Sequence, residues 1–187
     1  MHLRFNIGKA IQAAYVLLEL EGGRMSYFRL LKLLYIADRE SVQETGLPIT
    51  FAHGYALKHG PIPSEIYDLV KGSRTEAKQW EKFFRTHGYQ VSLVSGADPG
   101  RGKLSRFEIQ KLREIVERFE PLSDFEIAER THEFMEYEKN QPEGGTSHPI
   151  PFADILEAVG MSQHKDAILI DLRTRAAIDE LVETAEE

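Results

Sequence analysis

The stretch from Ser26 to Glu44 places the strongest constraint on the fold. Its segment YFRLLKLLYIAD has apolar residues around most of the circumference of a helix, which is typical of a helix buried on all sides. Ser26 can cap the first turn, and Gly46 with Pro48 ends the helix. The rest of the chain must therefore supply neighbours for every face of this helix. We predict that its core residues include Leu30, Leu31, Leu34 and Tyr35.

The chain is long and apolar enough to surround that helix within one domain. It has 187 residues, of which 42% are hydrophobic, and this excludes global disorder. Residues 6–21 carry apolar side chains at three- and four-residue steps, which predicts an amphipathic helix ending at Gly22-Gly23. Further predicted elements are a strand over 49–57, a helix over 64–71, a helix over 75–87 that buries Trp80, and a strand over 89–94 paired with a return strand after the GADPGRG turn.

The second half of the chain has a helical pattern. Ser105 with Glu108, and Ser123 with Glu126, form two S-x-x-E capping boxes, so a helix should begin at each. A loop over 140–151, a short helix over 152–159 and a final helix over 162–185 complete the prediction. The fold class is mainly α: a compact helical domain of about seven or eight helices with a small two- or three-stranded antiparallel sheet or hairpin. We expect one domain over 1–160 and an acidic helical extension over 161–187 packed on it.

The net charge of −7 is unevenly distributed along the chain. Residues 1–105 contain 14 Lys/Arg and 10 Asp/Glu, a balance of +4, whereas the remaining 82 residues contain 9 and 20, a balance of −11. Residues 165–187 alone carry 7 Asp/Glu against 3 Lys/Arg. Acidic helices are commonly solvated faces, but a basic front and an acidic back are also typical of proteins with a charged partner. Both interpretations stay open at this point.

Composition removes several function classes. The chain has no cysteine, which excludes disulfides, catalytic thiols, thiolate zinc sites and iron–sulfur clusters. The apolar run from Ala13 to Leu20 is too short to span a membrane and contains Glu19, so we expect no membrane contact and a cytoplasmic protein.

Catalytic and cofactor motifs are incomplete wherever they are approached. His132-Glu133 resembles the start of the HExxH zinc motif, but Glu136 occupies the place of the second histidine. The GADPGRGKL string resembles a phosphate-binding loop, but Leu104 stands where that loop needs Ser or Thr. We therefore expect no metal, no cofactor and no enzymatic activity. A hydrolase that uses His59 or His132 with nearby carboxylates is retained as a distant alternative.

Nucleic-acid binding is a stronger rival. A helix, a tight Gly-Gly turn, a second helix and a later hairpin superficially match the order of a winged helix-turn-helix, and they lie in the basic half of the chain. A recognition helix must present polar side chains to the groove, and the second helix offers few of them. A DNA-binding transcriptional regulator is the alternative function.

One constellation is typical of a recognition surface. An aromatic-containing extended segment reaches Lys58, His59, Gly60 and Pro61 directly before a helix, with Tyr55 four residues before the histidine. Gly60 permits a close approach of another backbone, and exposed groups on a fixed turn suit binding. The same residues would equally serve as a packing corner that ties a strand to a helix. We hold these two interpretations as equal.

The order of several motifs resembles a known family. They are KLLYIA at 32–37, GLPI at 46–49, KHGPIP at 58–63, IY at 66–67, LSRFE at 104–108 and LSDFEIAERTHE at 122–133. This ordered set, spread over residues 6–158, is similar to the SocA-like Panacea domain, also called a phage-associated protein domain. The chain differs from it in having His59 and Ile62 where members often have Tyr-Gly-Pro-Val, and in lacking a Pro-Trp pair after Glu133.

The resemblance implies an antitoxin of a bacterial or prophage toxin–antitoxin pair. Such a domain neutralises its cognate toxin, usually encoded adjacently, by protein–protein contact, and the family is not known for a catalytic centre. Which toxin is bound, and the oligomeric state, do not follow from it. With the turn residues, the resemblance marks as candidate partner-binding residues Tyr55, Lys58, His59, Gly60, Pro61, Tyr67, Thr131, His132 and Glu133.

Overall fold

The computed structural model describes residues 4–145 and 147–185. The fold is 57% helical. The helices of the described residues are α1 (Ile7–Leu20), α2 (Tyr27–Thr45), α3 (Ser64–Lys71), α4 (Ala77–Trp80), α5 (Arg106–Phe119), α6 (Asp124–His132), α7 (Met135–Lys139), α8 (Phe152–Ala158) and α9 (Lys165–Ala185). The strands are β1 (Arg24–Ser26), β2 (Gly54–Leu57), β3 (Gly60–Pro63), β4 (Phe84–His87), β5 (Gln90–Leu93) and β6 (His148–Ile150), and short 3-10 turns occupy Glu143–Gly145 and Ser162–His164.

Helix α2 runs through the centre of the fold. The Ser26 side chain accepts a hydrogen bond from the Arg29 backbone N–H, and the helix ends at Gly46, whose φ of 80° is left-handed. Helices α1, α3, α5, α6 and α8 and strands β1 and β3 all pack against it. Because neighbours cover every face, apolar residues around the whole helix are buried, among them Leu30, Leu31, Leu34 and Tyr35.

Two small antiparallel sheets flank this helix. The first has the strand order β1-β5-β4, and the second has the order β3-β2-β6. In the first sheet His87 pairs with Gln90 across a two-residue turn. In the second, Leu57 pairs with Gly60 and Gly54 pairs with Ile150, so β2 is the central strand.

The mainly α prediction is confirmed, but its small β element was underestimated. We expected one sheet of two or three strands and about seven or eight helices. The described residues instead form two three-stranded sheets and nine α-helices, of which α4 and α7 have only four and five residues. Strands of three or four residues carry too little alternation to be recognised in the sequence.

The helix predicted over 75–87 is wrong beyond Trp80. Trp80 and Phe84 are four residues apart, a helical spacing, and their rings do pack together with centroids 4.1 Å apart. The chain nevertheless leaves the helix between them, and Phe84–His87 is strand β4. The partner of β5 therefore precedes it in the chain, and the return strand expected after GADPGRG is also wrong. A turn followed by a strand thus brings the Trp80 and Phe84 rings into contact just as a continuous helix would have done.

The segment 49–57 is only partly a strand. Residues 49–53 are irregular because the Asp38 carboxylate holds their backbone: it accepts hydrogen bonds from the N–H groups of Ile49 (2.8 Å) and Thr50 (2.9 Å) and from the Thr50 hydroxyl. The Gly-Pro-Ile-Pro segment, expected as a turn, is strand β3 instead, and the loop expected over 140–151 contains strand β6. Strands β3 and β6 are both edge strands of their sheet, where proline is tolerated.

Both predicted capping boxes are present. In each, the serine side chain accepts a hydrogen bond from the backbone of the glutamate three residues on, and that glutamate bonds back to the serine backbone. They start α5 at Arg106 and α6 at Asp124. Helix α6 is thereby placed so that its last turn contacts β3.

Helix α9 joins the fold through its first half. Ile168 and Leu169 pack against the second hydrophobic cluster, which includes Tyr35, Val42 and Leu156, and Leu172 is buried. Ile170 and Ile178 are 61% and 53% exposed. Of the predicted acidic extension, Glu186 and Glu187 lie outside the described residues.

Candidate functional site

The β2–β3 hairpin presents the most conspicuous exposed turn among the residues singled out in the sequence. Lys58 and His59 form its tip and are exposed, whereas Gly60 and Pro61 directly after them are buried against α6. We call the side chains of Lys58, His59, His132 and Glu133 the hairpin surface. Strand β3 packs on α6, and His132 and Glu133 lie at the end of that helix.

Gly60 is the point where the hairpin meets the helices beneath it. Its φ is +94°, a region that L side chains rarely adopt. A Cβ at this position would lie 2.5 Å from Thr131 Oγ1, 2.7 Å from Lys32 Nζ and 3.2 Å from His132 Cδ2. Both the conformation and the space therefore require glycine, and the close approach brings three polar side chains to one corner.

Lys32 supports the hairpin from inside the core. Its side chain is fully buried in α2, and Nζ donates a hydrogen bond of 2.8 Å to the Pro61 carbonyl oxygen. The ammonium also lies 5.4 Å from the centroid of the Phe28 ring. Burial lowers the pKa of Lys32 from 10.5 to about 7, because the charged form loses its hydration.

Tyr137 holds the other strand of the hairpin. Its O–H donates to the Leu57 carbonyl oxygen at 2.9 Å, and its ring stacks on His132 with centroids 5.0 Å apart and planes inclined by 9°. Burial raises the pKa of Tyr137, so the hydroxyl keeps its proton for this bond. His132 Nδ1 is 3.8 Å from Glu129 Oε1, and its buried Nε2 has no hydrogen-bond partner among the described residues.

A buried ion pair fixes α7 beside this corner. The Arg39 Nε donates to Glu136 Oε1 at 2.7 Å, and its guanidinium lies 4.2 Å from the centroid of the Phe134 ring. The Tyr35 hydroxyl is 3.3 Å from the same carboxylate oxygen. Burial and the charge of Glu136 raise the pKa of Tyr35. In the sequence Glu136 is notable only because it stands where the HExxH zinc motif requires its second histidine. Nothing in the local pattern reveals a partner 97 residues away.

The structure brings together most, but not all, of the predicted partner-binding residues. Gly60 lies against Thr131 and His132 where the hairpin contacts α6. Lys58, His59 and Pro61 adjoin Gly60 in the chain, and Glu133 directly follows His132. Of these, Gly60, Pro61 and Thr131 are buried and act as its support rather than its surface.

Tyr55 and Tyr67 lie in other environments. Tyr55 lines a cavity of about 390 Å³. Tyr67 packs edge-on against Tyr27, with ring centroids 6.5 Å apart, and its own centroid is 5.5 Å from the Lys71 ammonium. Tyr67 belongs to a tyrosine–lysine cluster on α2 and α3. Partner binding by either tyrosine stays a prediction.

The cavity beside Tyr55 contains a carboxylate–histidine pair that the sequence did not reveal. Glu65 accepts hydrogen bonds from the His53 backbone N–H (2.8 Å), from the Ser64 hydroxyl (3.0 Å) and from the His53 ring. Burial by itself would raise the pKa of Glu65, but the hydrogen bonds from His53 lower it below its ordinary value. The pair ties the segment before β2 to the first turn of α3. No group of three or more His, Asp or Glu side chains within the described residues is placed to hold a metal ion.

The position of α2 bears on the DNA-binding alternative. Two of its basic residues, Arg29 and Lys32, are 7% and 0% exposed. Arg29 is bonded to Glu21 and to the carbonyl oxygens of Phe119 and Leu122. Helix α2 is thus a core helix and has no groove-reading face.

Comparison with known families identifies the group to which this arrangement belongs. The family model described as "Antitoxin SocA-like, Panacea domain" matches residues 30–137. The chain belongs to the SocA-like Panacea domain family. Neither the curated proteins nor the solved structures compared with the chain gave a match.

The Panacea match contains the whole candidate site. It begins in α2 just before Lys32, includes both strands of the β2–β3 hairpin, and ends at Tyr137. It is narrower than the resemblance predicted over residues 6–158. No helix within the described residues is long and apolar enough to cross a membrane.

Proposed function

We propose that this Panacea protein is a non-catalytic antitoxin that neutralises a cognate toxin by direct contact through the hairpin surface. The observation that carries the proposal is the family match over residues 30–137, which covers every residue that supports the hairpin. The partner is a toxin protein, which we expect to be encoded adjacently and to meet the antitoxin in the cytoplasm. Residues 1–160 act as the binding domain, and residues 161–187 are a helical extension.

The geometry suits the proposed role because the hairpin surface is held in place before a partner arrives. Lys32 fixes the Pro61 carbonyl, Tyr137 fixes the Leu57 carbonyl, and the positive φ of Gly60 sets the turn. A surface that is already ordered loses less conformational entropy on binding. Lys58 and His59 are then presented to solvent at the tip of the hairpin, and Glu133 is exposed at the end of α6.

The side chains at the tip favour a protein partner with a mixed polar contact. The exposed side chains of Lys58, His59 and Glu133 offer donors and an acceptor but little apolar area. Such groups set orientation and association rate more than they set affinity. Reversing the charge at the tip should therefore weaken binding to the toxin while leaving the fold intact.

The test is co-expression with the protein encoded by the neighbouring gene. That protein should arrest growth when expressed alone, and the antitoxin should restore growth and co-purify with it. The double variant Lys58→Glu/His59→Glu should lose the rescue. Arg113→Glu, an exposed charge reversal on α5, is the matched control and should retain it.

Two results would contradict the proposal. One is a neighbouring protein that is not toxic or forms no complex with this chain. The other is full rescue by the hairpin double variant at equal expression, which would place the contact elsewhere on the molecule.

A further inference from the structure

Strand β4 leaves one edge of the first sheet open. Its neighbour in the described structure is β5, and the sheet ends at β4. Antiparallel partners alternate between residues that bond to each other and residues whose N–H and C=O point away. His87 and Gln90 flank the two-residue turn, and the Val94 N–H donates a hydrogen bond of 2.8 Å to the Phe83 carbonyl oxygen. The backbone N–H and C=O groups of Phe83, Arg85 and His87 therefore point toward β5.

The backbone groups of Phe84 and Thr86 therefore point away from the sheet. The Phe84 carbonyl oxygen accepts a hydrogen bond from Arg85 Nη1 at 3.0 Å, which leaves the Thr86 N–H and C=O and the Phe84 N–H along the open edge. These groups recur every second residue, at a spacing of about 7 Å, which is the repeat of another extended polypeptide.

A groove of about 730 Å³ runs beside this edge. One wall is β4 itself, through Phe84, Arg85 and Thr86. The other is formed by the end of α3 and by α4 with the residues after it, including the buried ring of Trp80. The open edge thus lies at the side of a concavity large enough for a polypeptide strand.

The groove is basic in a protein that is acidic as a whole. Lys71, Lys78, Lys82 and Arg85 line it, against a single carboxylate from Glu81. Among the described residues none of these four cations has a carboxylate within 4 Å: Lys71 bonds to the Tyr27 hydroxyl and Arg85 to backbone carbonyls. The described part of the chain therefore leaves these four cations without an ion-pair partner.

We propose that the β4 edge and its groove bind an extended acidic segment of a partner protein, added to the sheet as a further strand. The segment's backbone pairs with Phe84 and Thr86, and its carboxylates face the groove cations. A nucleic acid would satisfy the cations but not the alternating N–H and C=O groups of the edge, so the edge favours a peptide. The proposal is independent of the hairpin surface and of whether the partner is a toxin.

The experiment uses the full chain as bait for a random twelve-residue peptide library displayed on phage. Enriched peptides are synthesised with a fluorescent label and titrated by anisotropy. We expect enrichment of peptides with net negative charge, and an affinity that falls at least ten-fold for Lys78→Glu/Lys82→Glu. The matched control Arg106→Glu/Arg113→Glu, with two exposed reversals on α5, should bind within two-fold of the wild type.

Strand addition is separated from simple charge attraction by two backbone changes. Thr86→Pro removes an outward N–H without removing a β4–β5 hydrogen bond, and it should weaken binding at least ten-fold while the far-ultraviolet spectrum is unchanged. If this variant does not fold, the same peptide methylated at alternate backbone nitrogens is titrated against the wild type, and one methylation register should weaken binding to the same degree.

Five outcomes overturn the proposal, of which four concern binding. They are no enriched peptide, enriched peptides without acidic excess, equal binding after the backbone change that is tested, and equal or tighter binding of a single-stranded oligonucleotide. A fifth is dimerisation of the chain that Thr86→Pro abolishes, since a second copy would then occupy the edge.

Discussion

The buried amine of Lys32 should make the stability of this protein depend on pH in a way that one substitution removes. Lys32 has a folded-state pKa of about 7, against 10.5 for an ordinary lysine. Between these two values the unfolded chain binds a proton that the folded chain does not. Stability therefore rises with pH through this window, and the contribution is lost as pH falls through 7.

The size of the effect follows from the same two pKa values. One pKa unit corresponds to about 1.4 kcal/mol, and integrating the proton difference from pH 6 to pH 9 gives about 2.7 kcal/mol. Lys32→Met keeps an unbranched side chain in the core but has no proton to lose. The difference in unfolding free energy, wild type minus Lys32→Met, should thus increase by about 2.7 kcal/mol over this range.

The assay is urea unfolding of both proteins at half-unit steps of pH, followed by circular dichroism. Taking the difference between variants cancels the titration of every other group. The methionine variant also loses the hydrogen bond to the Pro61 carbonyl, worth about 1 kcal/mol, but this is an offset rather than a slope. Lys78→Met, at an exposed position, is the control and should give a flat difference. Parallel profiles for wild type and Lys32→Met would refute the reasoning.

Three further predictions concern stability. Leu34→Ala should lower the unfolding free energy by about 2–5 kcal/mol, because it leaves a cavity at a fully buried position in α2. Leu20→Ala, at a position that is 42% exposed, should lower it far less. Similar thermal melts of the two variants would contradict the central position of α2. Gly60→Ala should lower the unfolding free energy measured by chemical denaturation by about 2 kcal/mol or more, because the new Cβ meets Thr131 and Lys32 and the positive φ is strained for alanine. Gly88 also has a positive φ, of 58°, but its Cβ would enter open space. The loss for Gly88→Ala therefore measures the backbone strain without the clash. Burial raises the pKa of Asp38 from 3.8 to about 6, so between these pH values the folded chain binds a proton that the unfolded chain does not. The unfolding free energy of the wild type relative to Asp38→Asn should therefore fall by about 3 kcal/mol as pH rises through that window. A difference that does not change with pH would show that the carboxylate is not desolvated.

Helices with long periodic patterns and explicit end signals could be predicted from the sequence. The limits of α2 follow from the Ser26 cap and Gly46, and those of α5 and α6 follow from their capping boxes, since each signal acts within four residues. Helix α3 was predicted over its full range of 64–71. Local physics was sufficient in these cases.

The strands could not be predicted as well because their partners are distant in the chain. Strand β6 pairs with β2 across more than 90 residues, and a three-residue segment that contains Pro149 and precedes Pro151 has no pattern of its own. Strand β4 was hidden by the helical spacing of Trp80 and Phe84, which a turn also satisfies. Such pairings are decided by tertiary contacts.

The exposed residues of the candidate site could be predicted from the sequence, but the buried residues that support them could not. The Lys-His-Gly-Pro turn and the Thr-His-Glu sequence stand out as residue types, and the structure brings both to one corner. The buried partners, Lys32 beneath the hairpin and Glu136 against Arg39, were not assigned to the site, because their roles depend on groups 29 and 97 residues away.

Helix α2 belongs to both hydrophobic clusters of the molecule. Its Leu30 and Leu34 lie in the larger cluster, and its Tyr35 and Val42 lie in the smaller one with α8 and the start of α9. Neither cluster can lose its packing without exposing a face of the same helix, so the two should melt as one cooperative unit. Backbone amides in the middle of α2 should then exchange with solvent only through global unfolding, and their protection would measure the stability of the whole protein.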